Sequence, residues 1–219
     1  MKNKENKKTK ILAILCILLS IGFISTAFAY SQQATKQVQN TFVVSTGGEM
    51  FVIEEGKTID DYFNLLESEA IQQANGTYTL GSNKVTANTY KLIAGVDVPK
   101  DPKISINNKT NIPAYLYLEV AGDTNTYFEL DLETCWDPLT GVVGQHGGNV
   151  YVYTENNSTT LGEITSKTIG IIAGDILDVK DTFSNSGDKT LSFYAYLAQT
   201  DLGNEKDTYT KCFPKPTLN

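Results

Sequence analysis

The chain has 219 residues, with 18 Lys and no Arg against 25 Asp and Glu, for a formal net charge of −7. That length suits one domain, and all-β domains often run to this size. An acidic balance of this kind is a poor match to a phosphate backbone, so nucleic-acid binding is excluded, and it favours a soluble surface that attracts cations.

Lys2, Lys4, Lys7, Lys8 and Lys10 precede an apolar run over residues 11–24, and small residues follow at Ala27 and Ala29. Basic, apolar, then small-x-small is the layout of a secretory signal peptide. The apolar run is shorter than the roughly 20 residues of a spanning helix. The expectation is a cleavable leader over 1–29, cut between Ala29 and Tyr30, and an extracellular or cell-surface protein with no stable membrane span. The mature part then carries 13 Lys against 24 Asp and Glu, a net charge of −11. Cys16 leaves with the leader. Cys135 and Cys212 remain, either as a disulfide or as two thiols.

Residues 30–46 form a polar, Gln- and Asn-rich N-terminal arm, and Phe42, Val43 and Val44 begin a β-type run within it. Such a polar stretch buries too little apolar surface to order itself. Residues 47–219 read as one β-sandwich domain. The spacing of Ile59, Phe63, Leu66 and Ala70 predicts a short helical insertion over about 58–73, begun by a capping-box-like Thr58 and Asp61 and ended by Asn75-Gly76. From Thr77 onward the pattern is strands and turns. Ala114, Leu116, Leu118 and Val120 alternate with Tyr115, Tyr117 and Glu119. Leu191, Phe193, Ala195 and Leu197 alternate with Ser192, Tyr194 and Tyr196. Period two predicts half-buried strands. Further strands are expected at 90–93, 103–106, 127–132, 150–154, 168–172 and 176–179.

An internal echo spans the domain. Ile93-Ala94-Gly95, Lys100-Asp101 and Tyr115-Leu116-Tyr117-Leu118 recur 79 or 80 positions later as Ile172-Ala173-Gly174, Lys180-Asp181 and Tyr194-Ala195-Tyr196-Leu197. Thr126-Tyr127 and Cys135-Trp136 are echoed by Thr208-Tyr209 and Cys212-Phe213. Two similar β-meanders suit a mainly β, antiparallel, jelly-roll-like sandwich.

The inventory for catalysis is thin, and the reading leans against an enzyme. His146 is the only histidine and sits in the glycine-rich Gly144-Gln145-His146-Gly147-Gly148. A His-Glu-x-x-His zinc site is therefore impossible, and His146 reads as an exposed loop residue. No catalytic residue and no cofactor are expected. Asp181, Asn185 and Asp188 offer oxygen ligands for a weak calcium site, weighed against a plain turn. Trp136 is either a stacking platform or packing. Asn75-Gly76-Thr77, Asn108-Lys109-Thr110 and Asn156-Asn157-Ser158 fit glycosylation sequons.

Ala27-Phe28-Ala29-Tyr30 followed by Asn40-Thr41-Phe42 resembles exported proteins cut by the SipW-type signal peptidase of Firmicutes. Tyr90 to Gly95, Lys100-Asp101-Pro102, Asn108 and Ala114-Tyr115-Leu116-Tyr117 are similar to the TasA/camelysin family. The resemblance implies a jelly-roll subunit of extracellular biofilm-matrix fibres. Its partners would be further copies of itself, other matrix proteins and, during export, the signal peptidase. The donor segment would be the freed arm, with Phe42, Val43 and Val44 adding to a sheet edge of the next subunit. Two other functions stay open: a camelysin-like metallopeptidase, and a surface adhesion or glycan-binding module.

Overall fold

Period two governs the two longest alternating segments and sets the architecture. The computed structural model describes residues 55–106, 113–122, 127–161, 166–181 and 190–214, together with the backbone of 36–38. The leader with Ala27, Ala29 and Tyr30, and the run Phe42, Val43 and Val44, lie outside the described residues, as do Asn185 and Asp188.

Thirteen strands are described: β1 (Lys36–Val38), β2 (Phe63–Gln72), β3 (Tyr78–Val85), β4 (Val98–Pro99), β5 (Lys103–Ile106), β6 (Ala114–Gly122), β7 (Phe128–Glu129), β8 (Trp136–Val143), β9 (Asn149–Tyr153), β10 (Thr160–Leu161), β11 (Lys167–Gly170), β12 (Ile176–Val179) and β13 (Leu191–Gln199). One α-helix, α1 (Glu205–Cys212), follows. The first sheet runs β1-β13-β6-β9-β8, with β10 also on β6. The second runs β11-β5-β2-β3, and a small third sheet runs β4-β12-β7. Every pairing is antiparallel. The fold is therefore mainly β and sandwich-like, as the alternation predicts.

The alternating side chains sort onto the two faces of the first sheet. Leu116, Leu118 and Val120 of β6 and Phe193, Ala195 and Leu197 of β13 pack against Phe63, Leu65, Ile104, Ile106 and Ile169 of the second sheet. That is the sandwich core. On the other face Tyr115, Tyr117, Tyr194 and Tyr196 pack with Val150, Val152, Tyr209 and Phe213. The strands are thus buried on both faces rather than half-buried, because α1 and its flank cover the tyrosine side. A third cluster of Val98, Phe128, Leu177 and Val179 fills the small sheet.

The helix expected over 58–73 is not there. The capping box forms, with Asp61 Oδ2 accepting from Thr58 N at 2.8 Å, but it opens only a 3-10 turn at Ile59–Asp61. The chain then runs on as β2, between β5 and β3. Phe63 and Leu65, two apart and fully buried, satisfy a strand period as well as Phe63 and Leu66 satisfy a helical one. Sheet neighbours on both sides decide the ambiguity, because tertiary pairing outweighs the small helix propensities involved. Asn75-Gly76 turns a β2–β3 hairpin instead of ending a helix, with Gln73 N donating to Thr77 O at 2.8 Å.

The α-helix among the described residues, α1, lies in a segment for which the sequence names no element. Asn204 Oδ1 accepts from Asp207 N at 2.9 Å and caps α1, with Glu205 and Asp207 in its first turn. Thr208-Tyr209 and Cys212-Phe213 therefore do not repeat the β7 and β8 region, and the echo stops before the C-terminal helix. Residues 90–93 are not a strand either: Ile93 makes a single bridge to Val96.

Candidate functional site

The edge of the first sheet is the feature most unlike an ordinary closed sandwich. On one side β13 pairs with β6 from Leu191↔Gly122 through Gln199↔Ala114, along its whole length. On the other side its strand partner is β1, through Lys36↔Ala195, Gln37↔Tyr194 and Val38↔Phe193. The 30–46 arm therefore does contribute an edge strand. The paired residues are Lys36–Val38, upstream of the expected Phe42, Val43 and Val44, and the sheet they extend is the chain's own. The opposite edge of this sheet is β8, which carries Pro138 and a register shift between Pro138 and Val143. Proline and a bulge are features that blunt an edge against further pairing. The β13 side has neither.

β13 is held rigid from beneath by aromatic packing. Tyr196 faces Tyr117 across the strand pair. Tyr117 OH donates to Glu205 O at 2.8 Å, tying β6 to the start of α1. Tyr209 and Phe213 pack edge-on or tilted against Tyr117 and Tyr196, with ring centroids 4.8 to 6.3 Å apart. Burial, reinforced by Tyr209 and Glu119, holds the Tyr196 hydroxyl far above its usual range. The Tyr209 hydroxyl is buried and faces Tyr196 and the Gln145 backbone without a well-formed hydrogen bond to either.

At the other end of the same face a carboxylate replaces a tyrosine. Glu119 is fully buried. It accepts from His146 N at 2.8 Å, Gly148 N at 2.9 Å and Tyr196 OH at 2.5 Å, and its Oε2 lies 3.2 Å from His146 Nδ1. The His146 ring stacks on Tyr194, centroids 3.6 Å apart and planes 5° from parallel. Two glycines make this possible. A Cβ at Gly144 would lie 2.0 Å from the Glu119 carboxyl carbon, and one at Gly148 would lie 2.3 Å from Val120 O. His146 is an exposed loop residue, as expected, and it also clamps the 144–148 loop onto β6 and β13. Its side-chain partners are Glu119, Tyr194 and Tyr196. Sequence reasoning passed over Glu119. The available signal was one acid on an otherwise tyrosine-lined strand face, with a glycine-rich His loop elsewhere in the chain.

Lys100 and Asp101, part of the family resemblance, turn inward. Lys100 Nζ lies 2.6 Å from Glu67 Oε2, with both side chains nearly sealed from solvent. Asp101 accepts from Ser68 N at 2.6 Å and Ser68 Oγ at 2.8 Å, with Lys84 and Lys103 ammoniums at 3.6 and 3.7 Å. This network ties β2 to the link between β4 and β5.

The echo survives as pairing. Tyr117 faces Tyr196 and Val98 faces Leu177, each pair 79 positions apart in the chain. Both pairings are antiparallel. Gly95 and Gly174 both adopt positive φ, at 70° and 68°.

The remaining sequence candidates disperse. Cys135 packs against the sandwich core and Cys212 against the tyrosine cluster, on opposite faces of the first sheet, and they do not form a disulfide with each other. Asp181 lies against the Gly95 turn, its Oδ1 2.5 Å from where a Cβ on that glycine would be. No group of three or more His, Cys, Asp or Glu placed to hold a metal occurs among the described residues. Trp136 is packing: it is buried and its Nε1 donates to Gly170 O at 2.9 Å. No family model, curated protein or solved structure matches this chain.

Proposed function

We propose that the chain is an exported structural subunit of extracellular, biofilm-matrix-type fibres, assembled by adding the N-terminal arm of one copy to the β13 edge of the next. The observation that carries the reading is β1: three residues of the arm pair with β13, on the side opposite its ladder with β6. The same backbone ladder forms whether the arm comes from its own chain or from a neighbour, so exchange changes connectivity and not chemistry. A head-to-tail contact of that kind does not close on itself and yields filaments. Only one edge of the first sheet invites pairing, since β8 is blunted, and this gives growth a direction. Cutting the leader after Ala29 frees the arm. The antiparallel pairing of residues 79 positions apart supports the jelly-roll form of the subunit.

Electron microscopy of three purified chains tests this: full length, 30–219 and 47–219. Filaments from 30–219 alone are the expected result. Filaments from 47–219 would refute strand addition by the arm. Chelator-sensitive proteolysis by the pure 30–219 chain, without filaments, would favour the peptidase reading instead.

A further inference from the structure

We infer that Asn75 is a site of spontaneous covalent modification, deamidating through a cyclic imide closed by the Gly76 nitrogen with assistance from Thr77. The inference is independent of fibre assembly. The chain contains one Asn-Gly step, and it lies at the exposed tip of the β2–β3 hairpin. Gly76 adopts φ +88° and carries no side chain of its own to shield its nitrogen. Other asparagines differ in the ways that matter. Asn88 is locked onto β2 by Ala70 N at 2.7 Å and Ser68 O at 2.8 Å. Asn204 caps α1. Asn149, Asn156 and Asn157 precede residues with side chains.

Asn75 Oδ1 accepts two hydrogen bonds from one residue, Thr77 N at 3.1 Å and Thr77 Oγ1 at 2.7 Å. Both donors draw charge toward the amide oxygen, which makes Cγ more electrophilic and stabilises the oxyanion that forms when Cγ is attacked. Hydroxide removes the Gly76 amide proton, and the nitrogen attacks Asn75 Cγ. The new C–N bond closes a five-membered imide as the Cγ–Nδ2 bond breaks and ammonia leaves. Water then opens the ring at either carbonyl, leaving aspartate or isoaspartate. No oxidant or cofactor enters. Gly76 N donates to Gln73 O at 3.0 Å, so the turn must open locally first. Opening at a solvent-exposed hairpin tip is among the least costly motions of a fold. The product places a new carboxylate beside the exposed Ile93. In its isoaspartate form it lengthens the backbone inside the turn and breaks the pair between Gln73 N and Thr77 O.

The test is peptide mapping by mass spectrometry of the folded chain, aged in mildly alkaline buffer, beside Thr77→Val and Thr77→Ser. The Asn75 peptide is expected to gain the amide-to-acid mass change, with an isoaspartyl fraction, ahead of every other asparagine peptide. Loss of the hydroxyl in Thr77→Val should slow it about two- to tenfold, the worth of one hydrogen bond. Thr77→Ser should keep the parent rate, which separates loss of the hydroxyl from loss of the hairpin. Equal rates in all three chains, or an Asn75 peptide left intact while another asparagine converts, would overturn the inference.

Discussion

Glu119 shows how much one side chain organises. Replacing it by alanine leaves the buried Tyr196 OH and the part-buried His146 N and Gly148 N without their acceptor. At the usual cost of orphaned donors, Glu119→Ala should lose about 3 kcal/mol or more, read from the urea midpoint. Gly148→Ala should destabilise as well, because its Cβ would meet backbone at Val120 O, which cannot step aside. Asp101 contributes to acid stability. Burial works against its ionisation, yet Ser68 N–H and Oγ–H and the Lys84 and Lys103 ammoniums outweigh that and depress its pKa. A depressed carboxylate contributes stability above the unfolded value of about 4, and that contribution disappears as pH falls through the folded value. Asp101→Asn should therefore flatten the acid limb of a stability-against-pH profile. Burial also pushes the Cys212 thiol up to about 11 and raises that of Cys135. Both should react with a thiol reagent slowly in the native chain at neutral pH and quickly after unfolding.

Among the elements, β2 stands where a helix was expected and α1 where no element was, for different reasons. The start of α1 was legible: Asn204 followed by Glu205 and Asp207 is an N-cap with an acidic first turn. The echo drew attention away from it. Asn204→Ala should cost about 1 kcal/mol in thermal or urea unfolding. β2 was not legible, since Phe63, Leu65 and Leu66 serve either period and only β3 and β5 on its flanks choose the strand. The central pair was open to reading throughout: the alternation over β6 and β13 identified both strands and their inward residues. What it omitted was the helix on the tyrosine face, which changes half-buried strands into fully buried ones.

For the whole molecule, the unequal partnership of β13 is the consequential property. Deleting 30–46 removes the three β1–β13 pairs, while among the described residues the ladder with β6 and both large clusters are formed by other segments. The truncated chain should therefore keep its circular dichroism spectrum and a cooperative melt, and still fail to build filaments. A truncated chain that loses cooperativity would mean that the arm is part of the fold and not an exchangeable strand.

The sequence alone determined the mainly β character, the faces of β6 and β13, and the 79-residue recurrence, because side-chain alternation and repeated turns are local properties of the chain. Tertiary structure decided the rest. Glu119 meets His146 across 27 positions and β1 meets β13 across more than 150, and two cysteines fall on opposite faces of one sheet. Contacts between distant segments depend on which strands become neighbours, and no local pattern carries that information.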